Sequence, residues 1–351
     1  MKRATIKDVA GRAGVSTATV SFVLNQNPKE AISEAVRARV LAAARALSYH
    51  PSAAAAALAR RRVRNVALVF YKDDDTITNP FYSFVVQGAI KAALERDYEL
   101  LFSYVDTTYA GYESLPKSVR EKNAGGVLFM RRIEPRMAED IQALGIPVVA
   151  VDEVPRAPGL NSIQIDNRTG GLLAAEHLLK LGHERLAMLL PKKAPRSIEE
   201  RLEGFRAAFD KLDRRFSRAV NVAPCEALTF RDGYETTRAL LEKSKLTALF
   251  CANDEMAAGS LRAARELGLD VPRDFSVVGF DDILMSRYTD PPLTTVKVVK
   301  EHMGRRAMTR LIELVERADS RVKVEIAPVE LVLRASTGRV RERGARPKAR
   351  A

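Results

Sequence analysis

Polar side chains follow apolar segments at several points of the chain, and their types suit the binding of a hydroxylated small molecule. Carboxylates and an arginine form bidentate hydrogen bonds with neighbouring hydroxyl groups. The residues are Asp152 after VVAV, Arg201 in RLEGF, Asn253 and Asp254 after LFCA, and Asp281 and Asp282 after VVGF. Asp254 and Asp282 are explained better as helix caps or loop residues. The other four are the predicted ligand contacts.

Residue patterns typical of catalysis or metal binding are missing from the sequence. It has no GxGxxG, no P-loop and no nucleophile elbow. The four histidines are scattered without metal-ligand spacing. Cys225 and Cys251 form no Cys-x-x-Cys pair and are interpreted as reduced thiols without special chemistry. We therefore expect no catalytic residue, no metal site and no cofactor.

The elements that position the polar residues alternate between strand and helix. VALVF opens the series, the helix FVVQGAIKAALERD follows, and the alternation continues to FSVVGFDD. This spacing requires right-handed βαβ units and a parallel sheet, and ligands bind beyond the carboxyl ends of such strands. The polar residues should therefore meet in one cleft. Phe81 and Tyr82 of NPFY follow the first strand and would face the same cleft.

The alternating segment is too long for one sheet, so two α/β lobes are expected. Lobe 1 is predicted to comprise residues 65–163 and 291–321, and lobe 2 residues 164–290 and 322–338. The chain would then cross between the lobes near Ile163–Asp166, Asp290–Thr294 and Ser320–Val324.

The net charge of +13 is concentrated at the two ends of the chain. Residues 1–65 carry +9, residues 339–351 carry +5, and the residues between them carry −1. A concentrated basic segment is typical of a protein that binds a polyanion, because neutralised phosphates release counterions. The tail 339–351 is interpreted instead as a disordered charge run. The start MKRATIKDVA has no apolar export signal and no apolar run spans a membrane, so we expect a cytoplasmic protein without a membrane partner.

The basic N-terminal segment contains the signals of three short helices. Thr5 and Asp8 form a capping-box pattern at the start of an apolar stripe. A glycine turn follows, Ser16 caps a second helix over Thr17–Leu24, and Ser33 caps a third. Two short helices joined by such a turn predict a helix-turn-helix whose second helix enters the major groove. Its phosphate-binding side chains would be Ser16, Thr19, Ser21 and Asn25.

The segment TIKDVAGRAGVSTATVSFVLN resembles the N-terminal signature of the lactose-repressor/galactose-repressor family. The resemblance implies DNA contacts at Thr5 and, on base edges, at Thr17, Ala18 and Phe22. The family often has arginine where this chain has Phe22, and phenylalanine can touch a thymine methyl but cannot bond guanine in bidentate fashion. Either operator preference differs at that base pair, or Phe22 packs against its own domain and reads nothing.

The segment YHPSAAAAALARRRVRN is similar to the hinge of the same family. By position, Leu58 matches a leucine that wedges between base pairs in the minor groove, with Ala55 on the same face; Tyr49 and Ser52 are the other expected hinge contacts. A wedge kinks the duplex, and added contact offsets the cost of unstacking. A plain linker is the alternative interpretation.

Residues 65–338 also resemble the effector domain of this family, which is similar to periplasmic sugar-binding proteins. The motifs are NPFY, IDNRTGG, HLLKLGHERLAML, RLEGF, CANDEMAAG, SVVGFDD, PPLTTV and PVELVLRAST. The resemblance implies effector contacts at Asp152, Arg201, Asn253 and Asp281, with Phe81 or Tyr82 near the mouth of the cleft. Arg196 could add a charged contact. Leu228 stands where the family often has a stacking aromatic, so stacking is weakened or moved to Phe230. A sugar or sugar derivative is expected, while an acidic or purine-like effector stays open.

The predicted fold is an N-terminal all-α helix-turn-helix domain plus an α/β two-lobed periplasmic-binding-protein-like sensor domain. The helix-turn-helix domain is predicted to cover residues 1–50 and the hinge helix and linker residues 51–64. The sensor domain covers residues 65–338, and the basic tail covers residues 339–351. We expect an effector-controlled transcriptional regulator that binds a pseudo-palindromic double-stranded operator as a homodimer. A sugar-binding transport protein and an α/β enzyme are the competing classes. The sequence alone leaves repressor and activator, and inducer and co-repressor, undecided.

Overall fold

The computed structural model describes residues 4–24, 32–49, 63–72, 78–131, 133–152, 157–210 and 220–340. The chain divides into two compact units, Met1–Arg64 and Asn65–Ala351. Within the described residues, no helix is long and apolar enough to cross a membrane.

The N-terminal unit contains helices α1 (Ile6–Ala13), α2 (Thr17–Leu24) and α3 (Glu34–Ala46). Asp8 Oδ2 accepts hydrogen bonds of 2.8 Å from both the backbone N–H and the hydroxyl of Thr5, so the residues of the predicted capping box contact each other. The three helices bury a small core of valines and alanines. The fold and the predicted bounds of the second helix are confirmed.

The second unit contains two six-stranded sheets, which we call lobe 1 and lobe 2 together with their helices. Lobe 1 has the strand order β11-β5-β4-β3-β1-β2, with every pair parallel. Its strands are β1 (Asn65–Tyr71), β2 (Glu99–Val105), β3 (Gly126–Met130), β4 (Val148–Val151), β5 (Asn161–Ile165) and β11 (Val324–Ala327). Its helices are α4 (Pro80–Glu95), α5 (Lys117–Arg120), α6 (Pro135–Ala143) and α11 (Lys300–Val315).

Lobe 2 has the strand order β12-β10-β9-β8-β6-β7, and only β12 runs antiparallel to its neighbour among these described strands. The strands are β6 (Leu186–Pro191), β7 (Val220–Cys225), β8 (Ala248–Cys251), β9 (Ser276–Asp281), β10 (Thr294–Val298) and β12 (Val329–Val332). The helices are α7 (Asn167–Lys180), α8 (Arg196–Asp210), α9 (Phe230–Lys243) and α10 (Asp254–Glu266). Strands such as β6, β8 and β9 are buried along their whole length, as expected of a parallel sheet covered on both faces.

Two of the three predicted crossings between the lobes are wrong. The chain passes between the sheets after β5, after β10 and after β11. The first passage agrees with the prediction near Ile163–Asp166. The predictions at Asp290–Thr294 and Ser320–Val324 fail because β10 pairs with β9 in lobe 2 and β11 pairs with β5 in lobe 1. The second segment of lobe 1 therefore consists of α11 and β11, and that of lobe 2 begins at β12.

Helices α7 and α8 cross with their backbones in contact. A Cβ added to Gly171 would lie 1.9 Å from the carbonyl oxygen of Arg201, and one added to Gly204 would lie 1.8 Å from that of Arg168. Only glycine allows an approach this close. The crossing brings the first turns of α8, and with them Arg201, against the start of α7.

Candidate functional site

A cavity of about 790 Å³ opens between the carboxyl ends of the strands of the two lobes. Seven of the eight residues predicted to contact a ligand line it: Phe81, Tyr82, Asp152, Arg196, Arg201, Asn253 and Asp281. Phe230 does not. It is the first residue of α9, after the cap Thr229, and the preceding loop turns Leu228 and Thr229 towards the cavity instead. Of the two alternatives for aromatic stacking on the ligand, weakened or moved to Phe230, the lining of the cavity favours weakened stacking.

Arg201 is fixed on three sides in the wall of lobe 2. Its Nε donates to Asn167 Oδ1 at 2.9 Å, and its Nη1 donates to the carbonyl oxygen of Ala252. The guanidinium carbon lies 3.6 Å from the centroid of the Phe280 ring. These contacts hold the planar group in one orientation, with Nη2 directed to Asp281 at 3.7 Å from its Oδ1.

Asp281 ends β9 in a backbone conformation that is rare for aspartate, with φ +106°. Its side chain is buried, and Arg201 Nη2 is beyond hydrogen-bond distance. Burial raises the pKa of Asp281 to about 7, although the charges of Arg201 and Lys300 oppose the rise. The carboxyl group is therefore poised between its two protonation states near neutral pH, and it has oxygen acceptors to offer a ligand.

Asp152 lies across the cavity at the end of β4. The Tyr82 hydroxyl donates to its Oδ2 at 2.8 Å, while its Oδ1 is buried and has no hydrogen-bond partner among the described residues. Burial raises the pKa of Asp152, partly opposed by the charge of Arg201. A buried acceptor without a donor costs about 1–3 kcal/mol, which a donor on a bound ligand would remove.

Asn253 and Arg196 line the cavity with their polar groups already engaged. Asn253 Oδ1 accepts from Met256 N–H at 2.9 Å, and its Nδ2 donates to the carbonyl oxygen of Leu228 at 3.0 Å, so the side chain caps α10 and holds the Leu228 loop. Arg196 is half exposed and pairs with three glutamates of its own helix at 2.7–3.6 Å. The positive charge of Arg196 at the cavity rim is therefore already neutralised by these glutamates.

Asp254 and Asp282 have the structural roles that the sequence favoured. Asp254 Oδ2 accepts from Ile283 N–H at 2.8 Å, and its Oδ1 accepts from the Thr295 hydroxyl at 2.5 Å. Asp282 pairs with Arg334 at 2.5 Å. Neither is among the residues that line the cavity.

Sequence reasoning missed several polar residues of the cavity wall. Arg131 follows β3 directly, with φ +70°, and its guanidinium lies 5.8 Å from the centroid of the Tyr82 ring. A polar residue at the end of GVLFM was the available signal, since the same rule had identified Asp152. The other missed residues include Thr107, Gln164, Asn167 and Lys193.

The N-terminal unit presents α2 with its apolar face inward and its polar face outward. Ser16 Oγ accepts from Thr19 N–H at 3.1 Å and caps the helix. Val20 and Val23 are buried, Thr17 and Ala18 are exposed, and Thr19, Ser21 and Phe22 are half-buried. Thr5 is exposed at the start of α1, whereas Tyr49 packs against the core of the unit. Asn25, Ser52, Ala55 and Leu58 lie outside the described residues, as does most of the predicted hinge.

Comparison with known proteins finds relatives along nearly the whole chain. Residues 5–52 match the family model of bacterial regulatory proteins, lacI family, and residues 175–337 match that of a periplasmic binding protein-like domain. The HTH-type transcriptional repressor PurR of Haemophilus influenzae is 32% identical over 95% of this chain and 98% of the relative. The ribose operon repressor of Escherichia coli is 32% identical over 88% of this chain and 92% of the relative.

Solved structures share the fold of the described residues. The lac repressor dimer bound to operator and the anti-inducer ONPF has a TM-score of 0.81 and 29% identity over 96% of this chain and 100% of that chain. The transcriptional regulator CelR in complex with cellobiose has a TM-score of 0.68 and 28% identity over 95% of this chain and 100% of its own. A regulator from Enterococcus faecium with bound ribose has a TM-score of 0.70 and 26% identity over 79% of this chain and 100% of its own.

Proposed function

The chain belongs to the lacI family of bacterial regulatory proteins, and from this premise we propose which of its residues read DNA and which bind the effector. It is a sequence-specific, DNA-binding transcriptional repressor. A small molecule of the sugar class controls its affinity for a double-stranded operator, and it acts as a homodimer.

The DNA-reading surface is the exposed face of α2. Thr17, Ala18 and Phe22 read base edges in the major groove, while Ser16 and Thr19 bond phosphates at the start of the helix. The exposure of Thr17 and Ala18 supports this assignment, as does the helix N-terminus, which attracts phosphate. The half-buried Phe22 has apolar surface left for a thymine methyl.

The effector site is the cavity between the lobes, and one observation carries the assignment. Two buried carboxyl groups face the cavity from opposite lobes, and Asp152 keeps an acceptor oxygen without a donor. Arg201 is held rigidly beside Asp281. Such a site favours a ligand with several hydroxyl donors placed close together, which is the chemistry of a sugar.

We propose that the chain is not an enzyme, because binding of an effector and of DNA accounts for both of its units without a chemical reaction at the cavity. Its relatives are named as repressors. Among the described residues, no group of three or more histidine, cysteine or acidic side chains could hold a metal ion. Because its operator is genomic DNA, the protein acts in the cytoplasm.

The experiment combines a thermal-shift screen of sugars with operator selection from random duplexes. A sugar that binds the folded protein raises the melting temperature. Asp281→Asn and Arg201→Ala each remove charged hydrogen bonds, of about 1.5–3 kcal/mol, so effector affinity should fall about tenfold or more while operator affinity is kept. Arg238→Ala, which removes an exposed i,i+4 pair on α9, is the matched control. Unchanged effector affinity in both cleft variants would remove these residues from the site.

A further inference from the structure

Lys300 is a buried cation that none of the roles above uses. It is the first residue of α11 and is only 7% exposed. Its Nζ donates to three backbone carbonyl oxygens, those of Asp281, of Asp282 at 3.0 Å and of Val298 at 3.3 Å. An ammonium has three protons, so these acceptors satisfy it completely. Burying such a charge is costly unless it is hydrogen-bonded, so the position of these three acceptors is what allows a lysine here.

The three acceptors and the helix that carries Lys300 belong to different lobes. Asp281 ends β9, Asp282 follows it and Val298 ends β10, all in lobe 2, whereas α11 packs against α4, β3 and β4 of lobe 1. Helix α11 contacts α4 backbone to backbone, since a Cβ added to Gly88 would lie 1.9 Å from the carbonyl oxygen of Glu301. Helix α4 begins with the residues that line the lobe 1 side of the cavity. Lys300 therefore connects the lobe 1 wall to the lobe 2 aspartate at the second passage of the chain.

The backbone that Lys300 holds is strained. Asp281 has φ +106° and Asp282 has φ +51°, conformations that non-glycine residues rarely adopt. Each such residue costs about 1–3 kcal/mol and persists only where its surroundings fix it. Both carbonyl oxygens point at one ammonium, which supplies that fixation.

We propose that Lys300 is a positioning residue for effector binding: from lobe 1 it holds the Asp281–Asp282 backbone so that the Asp281 carboxylate faces the cleft. It thereby makes the lobe 2 half of the site depend on the position of α11. The proposal rests on Asp281 as an effector contact, as proposed above.

The ammonium also acts on the charge of Asp281. The cations near this carboxyl are Arg201 and Lys300, which lower its pKa, and the acidic groups Asp152 and Glu255 raise it. Asp254 and Tyr82 also lie close enough for the charge of Asp281 to raise their own pKa values. Burial is the largest influence and raises it to about 7. Removal of Lys300 leaves Arg201 as the cation opposing that rise among these groups, so the pKa of Asp281 moves higher still.

The first test needs no ligand. Full-length Lys300→Met is compared with Lys297→Met, which removes an exposed lysine three residues earlier that pairs with Glu330. Hydrogen exchange is followed by mass spectrometry. Exchange in the peptide 279–286 should rise about tenfold or more in Lys300→Met and stay unchanged in the control. No change there, or a uniform rise over the whole chain, would overturn the positioning role.

The second readout is the pH dependence of thermal stability in the same variants. The folded-state pKa of Asp281, at about 7, exceeds its ordinary value of 3.8, so its contribution to stability is lost as the pH rises through about 7. In Lys300→Met this loss should extend to higher pH, while Lys297→Met keeps the wild-type profile. Coincident profiles would show that the ammonium does not act on Asp281.

The third readout separates this inference from the proposed effector site. D-ribose and cellobiose serve as probes, and the one that raises the melting temperature of the wild type is titrated. Lys300→Met should weaken its binding about tenfold or more. Weakening by Asp281→Asn with wild-type affinity in Lys300→Met would overturn the positioning role. Wild-type affinity in both variants would overturn the effector site instead. The hydrogen exchange of the peptide 279–286 would then still show whether Lys300 holds the Asp281–Asp282 backbone.

Discussion

Gly171→Ala tests whether the crossing of α7 and α8 fixes the effector site. The new Cβ would lie 1.9 Å from the Arg201 carbonyl oxygen and 2.9 Å from Phe205 N. Since such contacts cannot be shorter than about 3 Å in a packed interior, the helices must separate by about 1 Å. Overpacking of this kind costs about 1–3 kcal/mol, at the upper end here because the contacted atoms are backbone. The higher helix propensity of alanine compared with glycine offsets about 1 kcal/mol of this cost.

The expected result is a modest loss of stability and a larger loss of effector affinity. A net loss of about 1–2 kcal/mol lowers the melting temperature by about 2–8 °C. A shift of about 1 Å in Arg201 breaks hydrogen bonds such as that of its Nε to Asn167 Oδ1, at 2.9 Å, and charged hydrogen bonds contribute about 1.5–3 kcal/mol. Effector affinity should therefore fall about tenfold or more.

Gly259→Ala is the matched control for this variant. Its Cβ would lie 2.1 Å from the Phe230 carbonyl oxygen at the crossing of α9 and α10, so the packing defect is similar but Arg201 is not involved. Calorimetry and effector titration should show reduced stability with a smaller loss of affinity than in Gly171→Ala, because this crossing displaces the loop of Leu228 and Thr229 at the cavity wall but leaves Arg201 in place. Equal effects of the two variants on affinity, or an unchanged melting temperature in Gly171→Ala, would refute the reasoning.

Three other outcomes are expected. Phe22→Arg should change the preferred base pair once in each half-site in a random-duplex selection, because arginine bonds guanine in bidentate fashion; an unchanged consensus would show that position 22 does not read bases. Asp8→Ala should destabilise the N-terminal unit by about 1 kcal/mol, measured as faster amide exchange in α1 of the full chain, since Thr5 loses both of its 2.8 Å bonds; unchanged exchange would contradict this. Effector affinity should fall as the pH drops from about 8 to about 6, because the Asp281 carboxyl, whose pKa burial raises to about 7, takes up a proton and loses acceptor strength. Asp281→Asn should abolish this dependence in a titration series, and a dependence that survives would assign it to another group.

Local signals predicted the elements well because their causes are local. The bounds of α2 followed from Ser16, whose hydroxyl accepts from the helix as a cap must. The alternation of apolar strands and helices predicted two α/β lobes, since a strand covered on both faces has a nearly continuous apolar sequence. The ends of those strands then identified Asp152 and Asp281, and the helix segment RLEGF identified Arg201, as parts of the wall of one cavity.

Features that depend on distant partners could not be predicted in the same way. Which sheet β10 joins is decided by pairing with β9, and neither strand's sequence records that choice. Asn253 lines the cavity, as the sequence predicts, but only the packed structure shows that its amide also caps α10 and holds the Leu228 loop. Lys300 gave no signal, because buried lysines are rare and sequence rules assign them to the surface.

The order in which strands join the sheets has a consequence for biosynthesis. Sheet edges β11 and β12 come from the last part of the chain, whereas α1 to α3 are complete by residue 46. During synthesis the DNA-reading unit is therefore complete and can fold long before either sensor lobe has all its strands. A chain that stops before β11 and β12 therefore has the DNA-reading unit but lacks a complete effector site.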